Sequence, residues 1–135
     1  YTQYLRNKID DIDFLGEFDR TVAFKDSCYL GRHNDIYEEP RELLRSIPGL
    51  ELVEMERSKE TALCCGGGGG RIWAETDPKE RFSNIGIEDA LDVEADVLAT
   101  ACPYCTMNFE DSIKTLDVEN EIEVMDIAEI LWSVM

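Results

Sequence analysis

Positive charge, histidine and long apolar runs are all scarce in this 135-residue chain. Its 13 basic residues stand against 30 acidic ones, for a net charge of −17. No basic stripe is available to neutralise phosphates, which argues against DNA or RNA as a partner. No apolar run approaches the roughly 20 residues that a bilayer crossing takes. No positively charged leader precedes an apolar stretch either, so neither a membrane span nor secretion is expected, and a cytoplasmic location follows. The run Gly66 to Gly70 lacks the Lys-Ser/Thr that closes a P-loop, and a G-x-G-x-x-G frame starting at Gly66 fails at Arg71, which removes the usual phosphate-binding readings. Internal repeats are lacking too. The chain opens on Tyr1 directly into a helix-like pattern, which reads as a piece of a longer polypeptide.

What is present describes one globular domain over residues 1–135. Hydrophobic residues make up 44% and charged residues 32%, a composition that buries a core, and the length suits one core rather than two. The acidic excess reads as a solvated surface, with a salty habitat or a face that docks a basic partner as alternatives.

Apolar spacing predicts a helix over Thr2 to Asp11, a strand over Thr21 to Lys25 and a helix from Pro40 through Ile47, stopped by Pro48-Gly49. Glu51 to Met55 reads as a strand and Arg71 to Thr76 as a helix. Asp77-Pro78 reads as the start of another helix running towards Leu91, with Gly86 weakening its middle. The buried-type run Val97-Leu98-Ala99 marks a strand over Asp96 to Ala101, and Pro103 starts a helix through Ile113. Glu121 to Met125 is the last strand, and Asp126 caps a final helix. Strands alternating with helices predict an α/β, Rossmann-like parallel sheet of about four strands flanked by helices. In such sheets working groups collect beyond the carboxyl ends of the strands, and Cys28 and Cys102 fall at two such ends.

The five cysteines are Cys28, the adjacent Cys64-Cys65, and Cys102-x-x-Cys105, separated by 35 and 36 residues. An odd number in an apparently intracellular chain reads as ligands or redox thiols rather than a disulfide framework. Cys102-x-x-Cys105 opening a helix also suits a thioredoxin-like dithiol, but such an enzyme has no use for three further cysteines at loop positions. A structural zinc site usually joins two Cys-x-x-Cys knuckles; here one knuckle is replaced by neighbours. In extended backbone two neighbours point to opposite sides, so Cys64 and Cys65 reach one small ion only if the chain turns sharply, whereas a larger iron–sulfur cluster is within reach of both. The glycines that follow let backbone approach closely and donate N–H groups to sulfur. Tyr29, Trp73, Tyr104, Met107 and Phe109 lie near these blocks in sequence and either shield the centre from water or pack in the core.

These blocks resemble the cysteine-rich, or CCG, domain of the B-type and D-type subunits of heterodisulfide reductases and of iron–sulfur subunits of glycolate-, lactate- and glycerol-3-phosphate-oxidising enzymes. The resemblance is carried by Asp26-Ser27-Cys28-Tyr29-Leu30-Gly31-Arg32, by Leu63-Cys64-Cys65-Gly66-Gly67-Gly68-Gly69 and by Ala101-Cys102-Pro103-Tyr104-Cys105. It extends over essentially the whole chain, with Arg41 to Glu54 and Asp96 to Thr100 most like the D-type reductases. It implies that all five cysteines hold a noncubane 4Fe–4S cluster, with zinc as the alternative seen in some members. It also implies an oxidoreductase that acts on sulfur groups within a larger protein or complex, this chain being the C-terminal part. The implied partners are a second CCG domain, ferredoxin-like or flavoprotein subunits, a small disulfide or thiol substrate, and association with a membrane cytochrome subunit. On that reading electrons pass from the cluster to a disulfide whose sulfur binds at an iron. The alternatives are an electron-relay subunit and a zinc-stabilised interaction module. Lys25 stands where many relatives have histidine, and no ferredoxin cysteines are present. Lys25, Arg32, His33 and Arg71, close to cysteines in a chain poor in positive charge, are candidates to bind an anionic substrate or to offset a thiolate cluster.

Overall fold

The computed structural model describes residues 1–135. Four strands, β1 (Thr21–Phe24), β2 (Glu51–Val53), β3 (Val97–Thr100) and β4 (Glu123–Asp126), form one sheet in the order β2-β1-β3-β4, with every neighbouring pair parallel. The expected α/β class and strand number hold. β3 reads Val-Leu-Ala-Thr because it is buried on both faces, the pattern of a central parallel strand. Its register sets Val22 beside Val97, Ala23 beside Leu98 and Phe24 beside Ala99.

Alternation along the strands feeds two cores. Val22, Phe24, Val97 and Ala99 pack against α3 (Glu38–Arg45) and α6 (Ile127–Ser133), with α1 (Thr2–Asn7) alongside. Ala23, Leu98 and Val124 face α4 (Phe82–Asp92) and α5 (Pro103–Thr115) on the other side, where Cys65 and Cys105 join the cluster. Each fully buried Val or Leu here contributes roughly 1.5–3 kcal/mol. Asp126 caps α6 through a capping box: its carboxylate accepts from Ala128 N–H at 2.8 Å and its own N–H donates to Glu129 at 2.8 Å.

Three expectations fail locally. Arg71 to Thr76 is only a 3-10 turn at Arg71–Trp73, because Gly70 is left-handed, Ala74 is extended and the turn has no fully buried residue to anchor a longer helix. Asp77 does cap, accepting from Lys79 N–H at 2.9 Å, but only a 3-10 turn at Pro78–Glu80. Arg81 then runs extended, its guanidinium held by Asp111 at 2.6 Å, so α4 starts at Phe82. The short α2 (Gly31–Asn34), closed by a left-handed Asp35, was not foreseen; the first helix gives way after Asn7 to a 3-10 turn at Ile9–Asp11.

Candidate metal centre

From β1 the chain crosses to β2 on one side, while β3 and β4 lie on the other, so the direction of winding reverses between β1 and β3. Loops leaving two such strands part and leave a crevice beyond their carboxyl ends. Cys28 stands four residues beyond the end of β1, and Cys102 two residues beyond β3. Cys64 and Cys65 arrive from the long segment between β2 and α4. All five are free thiols; Cys65 and Cys105 are buried and the other three half-buried.

The thiols divide into a pair and a trio. Among the thiols Cys64 acts most strongly on Cys28, followed by Cys65 and Cys102. Cys105 interacts with both Cys65 and Cys102. Cys64 and Cys65 both act on Cys28, and Cys65 also acts on Cys105. No group of three or more His, Cys, Asp or Glu side chains is gathered in the arrangement of a single metal ion.

Their surroundings set their acidity. Cys102 is the N-cap of α5, with Pro103 in the first helical position. Its thiol is pulled from 9.0 to about 6, first by the hydrogen bond with Cys105, against burial, and then by the free N–H groups of Cys105 and Tyr104 in the first turn. Cys65 is likewise lowered to about 6 by its hydrogen bond with Cys105, against burial, and by Gly67 N–H. Cys105 is pushed far above the thiol range by its bonds to those two sulfurs and by burial. Burial first, then Cys64, raises Cys28. The glycines act as backbone donors: Gly66, at φ 83°, points its N–H at Cys64 Sγ, 3.4 Å away, and a Cβ on Gly67 would lie 3.6 Å from Cys65 Sγ.

The four cationic candidates scatter around this centre. Lys25 is buried, and its Nζ has no hydrogen-bond partner. Arg32 donates to Ala62 O at 3.2 Å and lines a cavity of about 250 Å³ that opens on Cys28 and Cys64. Arg71 lines a second cavity of about 420 Å³ that reaches Cys65 and Gly66 and holds Arg81, Glu75 and Asp111 as well. His33 lies outside both, exposed on α2 with its ring 5.3 Å from that of Tyr29. Among the apolar side chains near the cysteine blocks only Phe109 packs in the core; Tyr29, Trp73, Tyr104 and Met107 are all more than half exposed.

The sequence missed a buried salt bridge behind Cys28. Arg41, which has no exposed surface, grips both oxygens of Asp26 at 2.7 and 2.8 Å and both of Glu54 at 2.6 and 2.9 Å. The available signal was a basic residue on the buried face of α3, but its partners are 13 and 15 residues away and follow no local period.

The model of the cysteine-rich domain family, CCG, matches residues 22–110, the segment that carries all five cysteines. A probable iron–sulfur-binding oxidoreductase, FadF, of Bacillus subtilis is 46% identical over 111 residues, 82% of this chain and 16% of its own length. The D-type subunit of the dihydromethanophenazine:CoB–CoM heterodisulfide reductase of Methanosarcina acetivorans is 41% identical over 124 residues, 90% of this chain and 30% of its own. The EtfAB:quinone oxidoreductase of Syntrophomonas wolfei is 35% identical over 84% of this chain and 17% of its own length. The chain therefore spans less than a third of each of these relatives.

Proposed function

The chain belongs to the cysteine-rich CCG domain family, and from that premise we propose that it is the iron–sulfur redox domain of a heterodisulfide-reductase-like oxidoreductase. Cys28, Cys64, Cys65, Cys102 and Cys105 hold a five-cysteine noncubane 4Fe–4S cluster, and the domain is the C-terminal part of a longer cytoplasmic protein. Its partners are a second CCG domain and ferredoxin-like or flavoprotein subunits, with a membrane cytochrome subunit as a further associate. No helix is long and apolar enough to cross a membrane. The observation that carries this reading is the meeting of three distant cysteine segments in the crevice between β1 and β3.

The donor set fits an iron–sulfur group. Soft thiolates are its usual ligands, N–H groups directed at sulfur tune it, and a buried cation beside it offsets its negative charge. When bound, the group supplies electrons one at a time to a reaction that takes two. That reaction is RS–SR′ plus two electrons and two protons giving RSH and R′SH. The chain's own part is to hold the thiolates at the crevice and to admit substrate through the two cavities. Arg71 at one cavity and Arg32 at the other bind the anionic groups of a small disulfide, with His33 outside as a more distant contact.

A relay role is favoured by the likeness to the EtfAB:quinone oxidoreductase; on that second reading the centre of this chain only passes electrons onward. Anaerobic purification followed by iron and zinc analysis, EPR and a viologen-coupled disulfide assay separates the readings. Iron, a paramagnetic signal perturbed by added thiol, and disulfide-dependent viologen oxidation are expected. An iron signal indifferent to thiol with no disulfide turnover selects relay, and zinc in place of iron selects a structural module.

A further inference from the structure

Lys25 follows β1 directly, on the face that packs against α4 and α5. Its side chain is 1% exposed, its ammonium makes no hydrogen bond, and the ring of Phe109 lies 5.9 Å from Nζ. An ammonium brings three N–H donors, and burying it unpaired costs several kcal/mol. A lysine kept there implies a negative partner.

Four acidic groups face it: the thiols of Cys105 and Cys65 and the carboxylates of Asp89 and Asp26. Both carboxylates are already engaged. Asp26 is gripped by Arg41 and also accepts Lys59 N–H at 2.7 Å. Asp89 takes Arg57 Nε at 2.9 Å and a second bond from its Nη2. The sulfurs of Cys65 and Cys105 are what remain. Lys25 lines neither cavity beside the cysteines, so substrate entering through them does not reach it.

We infer that Lys25 is the built-in counter-ion of the metal–thiolate centre on the Cys65 and Cys105 side, a positioning residue that sets the electron affinity of the centre and does not contact substrate. The inference rests on the iron–sulfur reading above. Burial works against the Lys25 ammonium and the thiols of Cys105 and Cys65 work for it; the charge they retain there favours the more negative, reduced form of the centre, and in a dry interior that preference is only weakly screened.

The test uses the protein carrying this domain, purified and reconstituted anaerobically as wild type, Lys25→Met and Lys25→Arg, with midpoint potentials read by EPR-monitored redox titration. Lys25→Met is expected to hold the same iron yet show about a tenfold lower reduced-to-oxidised ratio at a given potential, a midpoint about 59 mV lower for a one-electron couple. Lys25→Arg is expected to stay near wild type. Equal midpoints in the methionine variant and wild type overturn the inference, as does an arginine variant that shifts as far as the methionine one. Melting of the metal-free proteins guards against a folding defect. Lys25→Met is expected to melt no lower than wild type, since the ammonium has no hydrogen-bond partner in the protein, and a lower melting temperature assigns Lys25 a structural role and overturns the inference. Iron absent from wild type overturns the iron–sulfur reading itself; iron in all three proteins with unshifted midpoints overturns the counter-ion alone.

Discussion

Arg41 on α3 and Asp26 beyond β1 meet as a two-pronged ion pair, Nη1 to Oδ1 at 2.7 Å and Nη2 to Oδ2 at 2.8 Å, both side chains almost wholly buried. The same guanidinium reaches Glu54 past β2 and donates to Tyr37 O at 2.7 Å, and it lies over the ring of Phe24. Asp26 is two residues from Cys28, so this one side chain ties the first cysteine loop to a helix and to the segment that leads on to Cys64.

Removing Arg41 strands a carboxylate in the interior. Arg41→Met is expected to cost about 3–5 kcal/mol, the usual penalty for breaking one half of a buried pair, read as a lower urea midpoint. Arg41→Lys is expected to recover only part, since an ammonium cannot fill the two-pronged geometry. A loss below about 1 kcal/mol, the scale of an exposed pair, would show that water reaches Asp26.

Gly86 is the point where α4 approaches α5. A Cβ placed there would lie 2.7 Å from Phe109 Cε1 and 3.2 Å from Cζ. Alanine is worth about 1 kcal/mol over glycine inside a helix, yet overpacking typically costs about 1–3 kcal/mol. Gly86→Ala is therefore expected to lower the melting temperature, and adding Phe109→Leu to recover part of the loss. A higher melting temperature for the single variant would mean that Phe109 moves aside freely.

Gly86 also shows why part of this fold was hidden in its sequence. As a local signal it weakens a helix; its reason for being there is a ring 23 residues away. The same holds for Lys25 and Arg41, whose partners come from other segments. What could be read was local: the apolar run of β3, the proline after Cys102, the cap at Asp126. Asp77 shows the limit of such signals, since its cap is real but the helix stops after one turn where Arg81 is drawn to Asp111. How the thiols group depends on how three loops fold back, which no local pattern in the sequence carries.

The acidities of Cys102 and Cys28 differ in sign, and alkylation of the reduced, metal-free protein exposes this. Cys102 is lowered to about 6, chiefly by its bond with Cys105, while burial raises Cys28. At pH 7 iodoacetamide is expected to modify Cys102 first, and its rate to fall as acid is added through pH 6, where the thiolate gains its proton. The stability that this thiolate contributes is complete above the ordinary value of 9.0 and is lost as pH falls to about 6. A Cys102 rate that keeps rising through pH 8 to 9 like an ordinary thiol would show that the helix terminus and Cys105 do not hold its charge.

The pair and the trio should not matter equally to metal binding. Cys105 is buried, interacts with both Cys65 and Cys102, and shares the second core with Ala23, Leu98 and Phe109. Cys28 is half-buried, and Cys64 is the thiol that acts on it most. Cys105→Ala removes the thiol on which the trio converges, and is expected to abolish iron incorporation during anaerobic reconstitution. Cys28→Ala leaves Cys64, Cys65, Cys102 and Cys105 in place, four thiolates that suffice for an ordinary cubane. That variant is expected to keep a measurable share of its iron with an altered EPR signal. Because both substitutions remove one thiol and leave a small apolar side chain, a difference between them reports on position and not on ligand number. Equal iron loss in the two would mean that assembly counts all five sulfurs alike, and the grouping seen in the fold would then have no part in building the centre.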